Sequence, residues 1–192
     1  MKIVAGVDAL DLPVLFRTAK RRIILHAAIY GPFARSEAHC EALAEALSNP
    51  VFKQLDIIAL QPDKQSGWAE LFLQVLRPGV FKENIEQELR ESQDFLNDLA
   101  VKHPVKVNIH YLQEQPFQPI VIVDDIICFG QYAYADVPAP VGFWAMVEAD
   151  VGKLLEWAEE GGAPQDATAV ELAAYRLVSE CARWGKSSFK SA

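Results

Sequence analysis

The titratable residues best placed to do chemistry in this chain are two histidines and an adjacent pair of acids. His26 lies inside the apolar run RIILHAAIY, Arg22 to Tyr30. His110 closes a run in which Val105, Val107 and Ile109 alternate with Lys106, Asn108 and His110. Asp124 and Asp125 interrupt the run IVIVDDIICF. An imidazole titrates near neutral pH, and a carboxylate within hydrogen-bond reach would orient it as an acid or base. Each candidate also has a structural use. Asp at a tight turn bonds nearby backbone amides. Adjacent strand residues point to opposite faces, which weighs against both carboxylates holding one metal ion. His26 reads as a hydrogen-bonded core histidine, and His110 as a residue of a solvent face.

Neutral hydrogen-bonding groups extend the set. Tyr30 falls at the carboxyl end of its apolar run, just before Gly31-Pro32. Open α/β sheets bind ligands beyond such strand ends. Gln118, Gln131, Tyr132 and Tyr134 cluster around the acidic turn in sequence. The expected ligand-binding set is therefore Tyr30, His110, Gln118, Asp124, Asp125, Gln131 and Tyr132, gathered at one sheet edge around a small polar or nucleotide-like molecule. Tyr132, Tyr134, Phe143 and Trp144, stiffened by Pro138 and Pro140, form either a lid or a crossover packed on the last helices. No Gly-rich phosphate loop, Gly-x-Ser-x-Gly elbow or His-Glu-x-x-His is present. Cys40, Cys128 and Cys181 have no Cys-x-x-Cys spacing, so neither zinc nor a disulfide framework is expected, and no cofactor is implied.

The elements that must position these residues read as a layered α/β domain over residues 1–192, a mixed sheet flanked by helices. Residues 2–7, 22–30 and 55–60 are apolar strands, and the run at 105–110 is a half-buried one. Asp11 with Pro13 and Ser36 mark helix starts, and Asn49-Pro50 closes the second helix. Helices are expected over 68–76 and 83–102. Residues 119–123 and 126–129 form a hairpin. Two carboxyl-terminal helices follow, capped by Asp150 and Asp166, the second carrying a stripe of Val170, Ala174, Leu177, Cys181 and Trp184 before Gly185. Residues 186–192 are expected to fray.

The stretch from Gln115 to Tyr132 resembles the signature hairpin of the phospholipase D-like superfamily. Those enzymes carry His-x-Lys, four further residues, an Asp and then a Gly-Ser tip. Here an apolar strand, an acidic turn and Gly130 stand in that order. Setting the motif acid at Asp124 puts Phe117 and Pro119 at the His and Lys positions; setting it at Asp125 puts Gln118 and Ile120 there. Neither register supplies a nucleophile or a phosphate-holding lysine. The resemblance implies a phospholipase D-like fold that has lost the catalytic set and serves as a ligand-binding or dimerising module.

Composition bounds the rest. A net charge of −8 disfavours a phosphate-backbone binder, so nucleic acid is not expected as a partner. No stretch reaches the length of a membrane span, and no signal-peptide core follows Met1. A cytoplasmic, homodimeric protein is expected. The leading function is non-catalytic binding of a ligand or partner. The alternatives are an enzyme that pairs His26 or His110 with Asp124 or Asp125, acting on a small phosphate-containing or polar substrate, and a structural protein presenting Phe143, Trp144 or Trp184 as an apolar patch.

Overall fold

A computed structural model describes residues 1–61, 67–132, 137 and 139–184. Tyr134 and Pro138 of the aromatic segment, Gly185 and residues 186–192 lie outside the described residues. Seven strands make one sheet: β1 (Lys2–Ala5), β2 (Arg22–His26), β3 (Gln54–Ala59), β4 (Val107–Tyr111), β5 (Ile120–Val123), β6 (Ile126–Gly130) and β7 (Phe143–Glu148). Their order is β1-β7-β6-β5-β2-β3-β4. β2, β3 and β4 run parallel, while β5, β6, β7 and β1 join antiparallel. β2 is thus the strand where the sheet changes character, parallel to β3 on one side and antiparallel to β5 on the other.

The β-branched runs explain the centre. Side chains alternate across a strand, so a strand that is apolar at every position must be covered on both faces. Ile23, Leu25, Leu55, Ile57, Val121 and Val123 meet α1 (Leu12–Thr18), α3 (Glu37–Ser48) and the second half of α5 (Lys82–Lys102) through Phe16, Leu43, Leu47, Leu96 and Leu99. Ile24, Ile58, Ile120, Ile122 and Ile127 meet α4 (Gly67–Leu76), the first half of α5, α6 (Val151–Glu160) and α7 (Ala169–Ala182) through Phe72, Leu89, Leu154, Leu177 and Val178. Each fully buried Ile contributes about 1.5–3 kcal/mol relative to exposure. The result is a mixed α/β fold with helices on both faces of the sheet.

Several local expectations change in detail. β2 ends at His26 instead of Tyr30, because the chain leaves the ladder and turns into α2 (Gly31–Ala34), with Pro32 in its first turn. Ser36 precedes α3 but makes no side-chain cap; its Oγ lies 2.7 Å from His39 Nδ1. α6 starts as expected, with Asp150 accepting from the Lys153 amide at 3.0 Å. α7 is capped by Thr168, two residues beyond the expected Asp166. Thr168 Oγ1 accepts from Glu171 N, and the Glu171 carboxylate accepts from Thr168 N, a reciprocal box that satisfies two otherwise free amides.

Candidate site at the carboxyl end of strand β2

Tyr30 turns back under the end of β2. Its hydroxyl accepts from Ala27 N at 2.9 Å and lies 2.8 Å from both the Leu25 and Ile58 carbonyls. Its own amide donates to Ser92 Oγ, on α5, at 3.0 Å. Burial pushes the phenol well above its ordinary pKa. The hydroxyl expected to meet a ligand is instead committed to backbone groups where β2 ends, two of which, Ala27 N and the Ile58 carbonyl, also bond each other at 3.2 Å.

His26 is fully buried one turn earlier. Its Nδ1 lies 3.2 Å from the Gln118 carbonyl. A carbonyl can only accept, so Nδ1 carries the proton and Nε2 presents a bare lone pair. That Nε2 is buried and has no hydrogen-bond partner. Burial lowers the His26 pKa; the charge of Glu180 and the Gln118 carbonyl oppose the shift. His26 at rest is therefore a neutral acceptor.

Tyr132 follows β6 and supplies a second unsatisfied group. Its ring packs edge-on against Phe72, with centroids 5.0 Å apart. Its hydroxyl is buried and has no partner of good geometry, the Ala28 backbone standing near enough for a weak hydrogen bond that opposes the shift in its pKa. Burial, reinforced by the charge of Glu180, drives its pKa upward. Glu180 thus acts on both His26 and Tyr132, which puts the two unsatisfied groups in one neighbourhood.

Both residues line a cavity of about 130 Å³, walled mainly by Leu25, Pro119, Val121 and Trp144. Gly130 makes room for one wall. A Cβ there would stand 2.8 Å from Trp144 Cε2, so the indole lies flat over the strand only because the glycine has no side chain. His26 also borders a second, more polar hollow of about 210 Å³ between residues 114–117 and α7. Here Arg176 donates to Glu180 at 3.0 Å, the Phe117 amide faces the same carboxylate at 3.4 Å, and Arg183 donates to Glu114 at 2.8 Å.

The rest of the expected set does not converge on this point. Gln118 contributes its backbone carbonyl, and its side chain is half-buried. Gln131 is exposed and is not among the residues lining either hollow. Asp124 and Asp125 stand at the opposite end of β5, roughly 17 Å from Pro119 at the rise of a strand. Asp124 takes a left-handed conformation, φ 50°. Its carboxylate accepts from the amides of Lys20, Arg21 and Arg22 at 2.8–3.0 Å. Asp125 pairs with the Arg21 guanidinium and accepts from Val151 N at 3.3 Å. These acids tie the hairpin to the start of β2 and leave no carboxylate facing His26 from that turn.

His110 is displaced as well. It lies on the edge strand β4 with its side chain mostly covered, its Nε2 3.3 Å from Asp56 Oδ1. Asp56 is buried, and its carboxylate also accepts from Gln54 at 2.7 and 2.9 Å and from Asn108 at 3.1 Å. The face taken for solvent is thus an internal polar cluster, because helices cover that side of the sheet. Neither hollow is lined by Asp56 or His110. The aromatic residues proposed as a patch are parted: Trp144 is buried, Phe143 is on β7, and Trp184 borders the second hollow.

Sequence reasoning missed Asp56 and Glu180. Both had a signal. Asp56 is a lone acid inside the buried run QLDIIAL, and a buried charge is more informative than an exposed apolar residue. Glu180 falls three residues after Leu177 and four before Trp184, in the stripe that faces the sheet.

No family model matches the chain, and no curated protein matches it. A solved structure of TrmBL2, described as an archaeal chromatin protein with a novel mode of DNA binding, is similar at 15% identity with a TM-score of 0.43. The match covers 78% of this chain and 46% of that one, so the chain spans less than half of that protein's length. A likeness this distant assigns neither a fold family nor a partner. Net charge does not by itself exclude nucleic acid, because an acidic chain can carry a local basic patch, so the exclusion drawn from it is withdrawn. Among the described residues, no helix is long and apolar enough to cross a membrane.

Proposed function

We propose that this chain is a non-catalytic binding domain of phospholipase D-like outline, which takes a small, largely apolar molecule into the cavity at the carboxyl end of β2. The observation that carries this is a pair of buried, unpartnered polar atoms, His26 Nε2 and Tyr132 Oη, on residues lining one cavity. Leaving such a group unsatisfied costs about 1–3 kcal/mol. The two atoms are themselves covered, so an occupant of the cavity would meet its apolar walls, and the unsatisfied groups mark a place where packing is incomplete. The cavity's size suits about one aromatic ring, since dry apolar cavities near 150 Å³ hold benzene. The apolar walls replace the polar ligand first expected with a mostly apolar one.

Loss of catalysis accords with the hairpin. In the Asp124 register, Phe117 and Pro119 border the second hollow and the cavity, where the resembled enzymes carry His and Lys. Cys128 is no substitute nucleophile, because burial pushes its thiol up to about 12. A reducing, cytoplasmic setting accords with three free cysteines. The test is a thermal-shift screen of ring-sized compounds. Saturation at about 100 times Kd adds about 2.7 kcal/mol, which raises Tm by roughly 5–10 °C in a chain of this size. A screen in which no ring-sized molecule moves Tm, or in which hits leave the Trp144 signals unchanged, would end the proposal.

A second reading rests on one contact, His110 Nε2 at 3.3 Å from Asp56 Oδ1. It makes the polar cluster an acid–base pair. Two amides already hold that carboxylate, which favours a structural network. A His110→Gln variant that loses a measured turnover while keeping its Tm would restore the catalytic alternative.

A further inference from the structure

The second hollow, between residues 114–117 and α7, is built around one carboxylate. Glu180 is its deep member: the side chain keeps only 9% of its surface, while that of Arg176, which pairs with it, keeps 58%. The other pair, Arg183 with Glu114, stands at the rim with both side chains more than half exposed. Counted whole, the hollow is neutral. Depth breaks the balance, because an acid is fixed inside and the bases stand in solvent. An arginine this exposed holds its partner weakly, so Arg176 is replaceable.

The carboxylate reaches both walls. Its Oε2 accepts from Arg176 at 3.0 Å. Among the described residues, its Oε1 faces the Phe117 amide at 3.4 Å, beyond the ordinary hydrogen-bond range. A carboxylate offers about four acceptor sites, so Oε1 retains capacity at the hollow's wall. The chain itself shows what suits that wall. The Arg176 guanidinium lies 5.9 Å from the centre of the Phe117 ring while it pairs with Glu180, so a planar cation here meets a carboxylate and an aromatic face together. Trp184 lines the same hollow. Its space, about 210 Å³, exceeds the roughly 150 Å³ that holds benzene.

We propose that this hollow binds an organic cation, an amidinium, guanidinium or ammonium on a ring-sized body, whose N–H groups are accepted by Glu180 and whose apolar part lies against Phe117 and Trp184. The site is independent of the apolar cavity. Its ligand is opposite in charge to the phosphate substrates that the hairpin's resemblance implies, and Phe117 stands here where that motif, set at Asp124, carries its histidine.

The experiment titrates the intact chain with benzamidine, benzamide and benzoate, by calorimetry and by NMR of the tryptophan indole N–H groups. The three share a shape and differ in charge: cation, neutral molecule and anion. Benzamidine should bind about tenfold tighter than benzamide, the worth of a hydrogen bond to a charged group, and benzoate more weakly than either. The Trp184 indole signal should move with benzamidine, and that of Trp144, in the wall of the apolar cavity, should not. Glu180→Gln should bring benzamidine down to the affinity of benzamide. Phe117→Ala changes an exposed ring, so it keeps the fold, and should weaken benzamidine about threefold. Should Glu180→Gln fail to fold, the benzamidine to benzamide ratio and the loss in Phe117→Ala decide together. Benzamide binding as tightly as benzamidine, benzoate binding tighter than either, no binding by any of the three, or a shift at Trp144 alone overturns the cation site. Each of these leaves the apolar cavity to its own test.

Discussion

The two ends of β5 treat polar groups in opposite ways. At the Asp124 end, one carboxylate collects three amides and its neighbour takes an arginine and a fourth amide. At the Pro119 end, an imidazole nitrogen and a phenol lie buried beside a cavity with nothing to bond. Buried polar groups are satisfied in the great majority of cases. The saturated end is therefore a fastening, and the unsaturated end is where the fold leaves room for something else. Of the titratable candidates, Asp124 and Asp125 belong to the fastening and His26 to the unsaturated end.

The comparison predicts stability changes of opposite sign. The largest is at the fastening. Asp124→Ala strands the Lys20, Arg21 and Arg22 amides and puts alanine at φ 50°. Urea denaturation should show a loss of about 2–4 kcal/mol, with Asp124→Asn losing less because Asn tolerates the left-handed region. A loss under about 0.5 kcal/mol would mean that these bonds are dispensable and that the contrast is false. Tyr30→Phe comes next, with an expected loss of about 1–3 kcal/mol, since the Ala27 amide and two carbonyls lose their common partner. Ring-sized ligands should still bind this variant, because the hydroxyl is not free to meet them.

Much of this contrast was legible in principle. The continuous β-branched runs of β2, β3 and β5 announced buried strands, and adjacent acids between two such runs announced a turn. A four-residue strand separates Pro119 from Asp124, so the turn and the motif positions had to lie at opposite ends of it. What could not be read locally was the neighbour of each end. The antiparallel pairing of β5 with β2 sets His26 opposite Ile120, and α7, some 150 residues later in the chain, brings Glu180 to His26. His110 illustrates the same limit. Alternation along β4 marked two faces, but whether the polar face met water depended on helices elsewhere. The capping box at Thr168 and Glu171 was local, by contrast, and its Thr-x-x-Glu spacing is a better start signal than Asp166.

The unsaturated end should respond in the other direction. Tyr132→Phe removes a buried hydroxyl that has no good partner and keeps the ring against Phe72. The ligand-free variant should be as stable as the native chain or up to about 1 kcal/mol more so, the reverse of Tyr30→Phe. A clear loss of stability in Tyr132→Phe would show that the hydroxyl is satisfied in solution and would remove one half of the contrast.

The smallest effect is in pH, and its sign follows from His26. Burial lowers its folded pKa below the ordinary value near 6.5 that the unfolded chain keeps. The unfolded state therefore binds the proton first as pH falls. Stability is complete above about pH 6.5 and declines as pH drops through it toward the lower folded value. At pH 6.5, half of the unfolded chains are protonated at this site, and the loss cannot exceed RT ln 2, about 0.4 kcal/mol. His39 is shifted down as well, by partial burial, and contributes with the same sign. Urea denaturation between pH 8 and pH 6 in the native chain and in His39→Gln separates the two: the slope lost in the variant belongs to His39, and a native slope that vanishes altogether in the variant would leave His26 with no part in it.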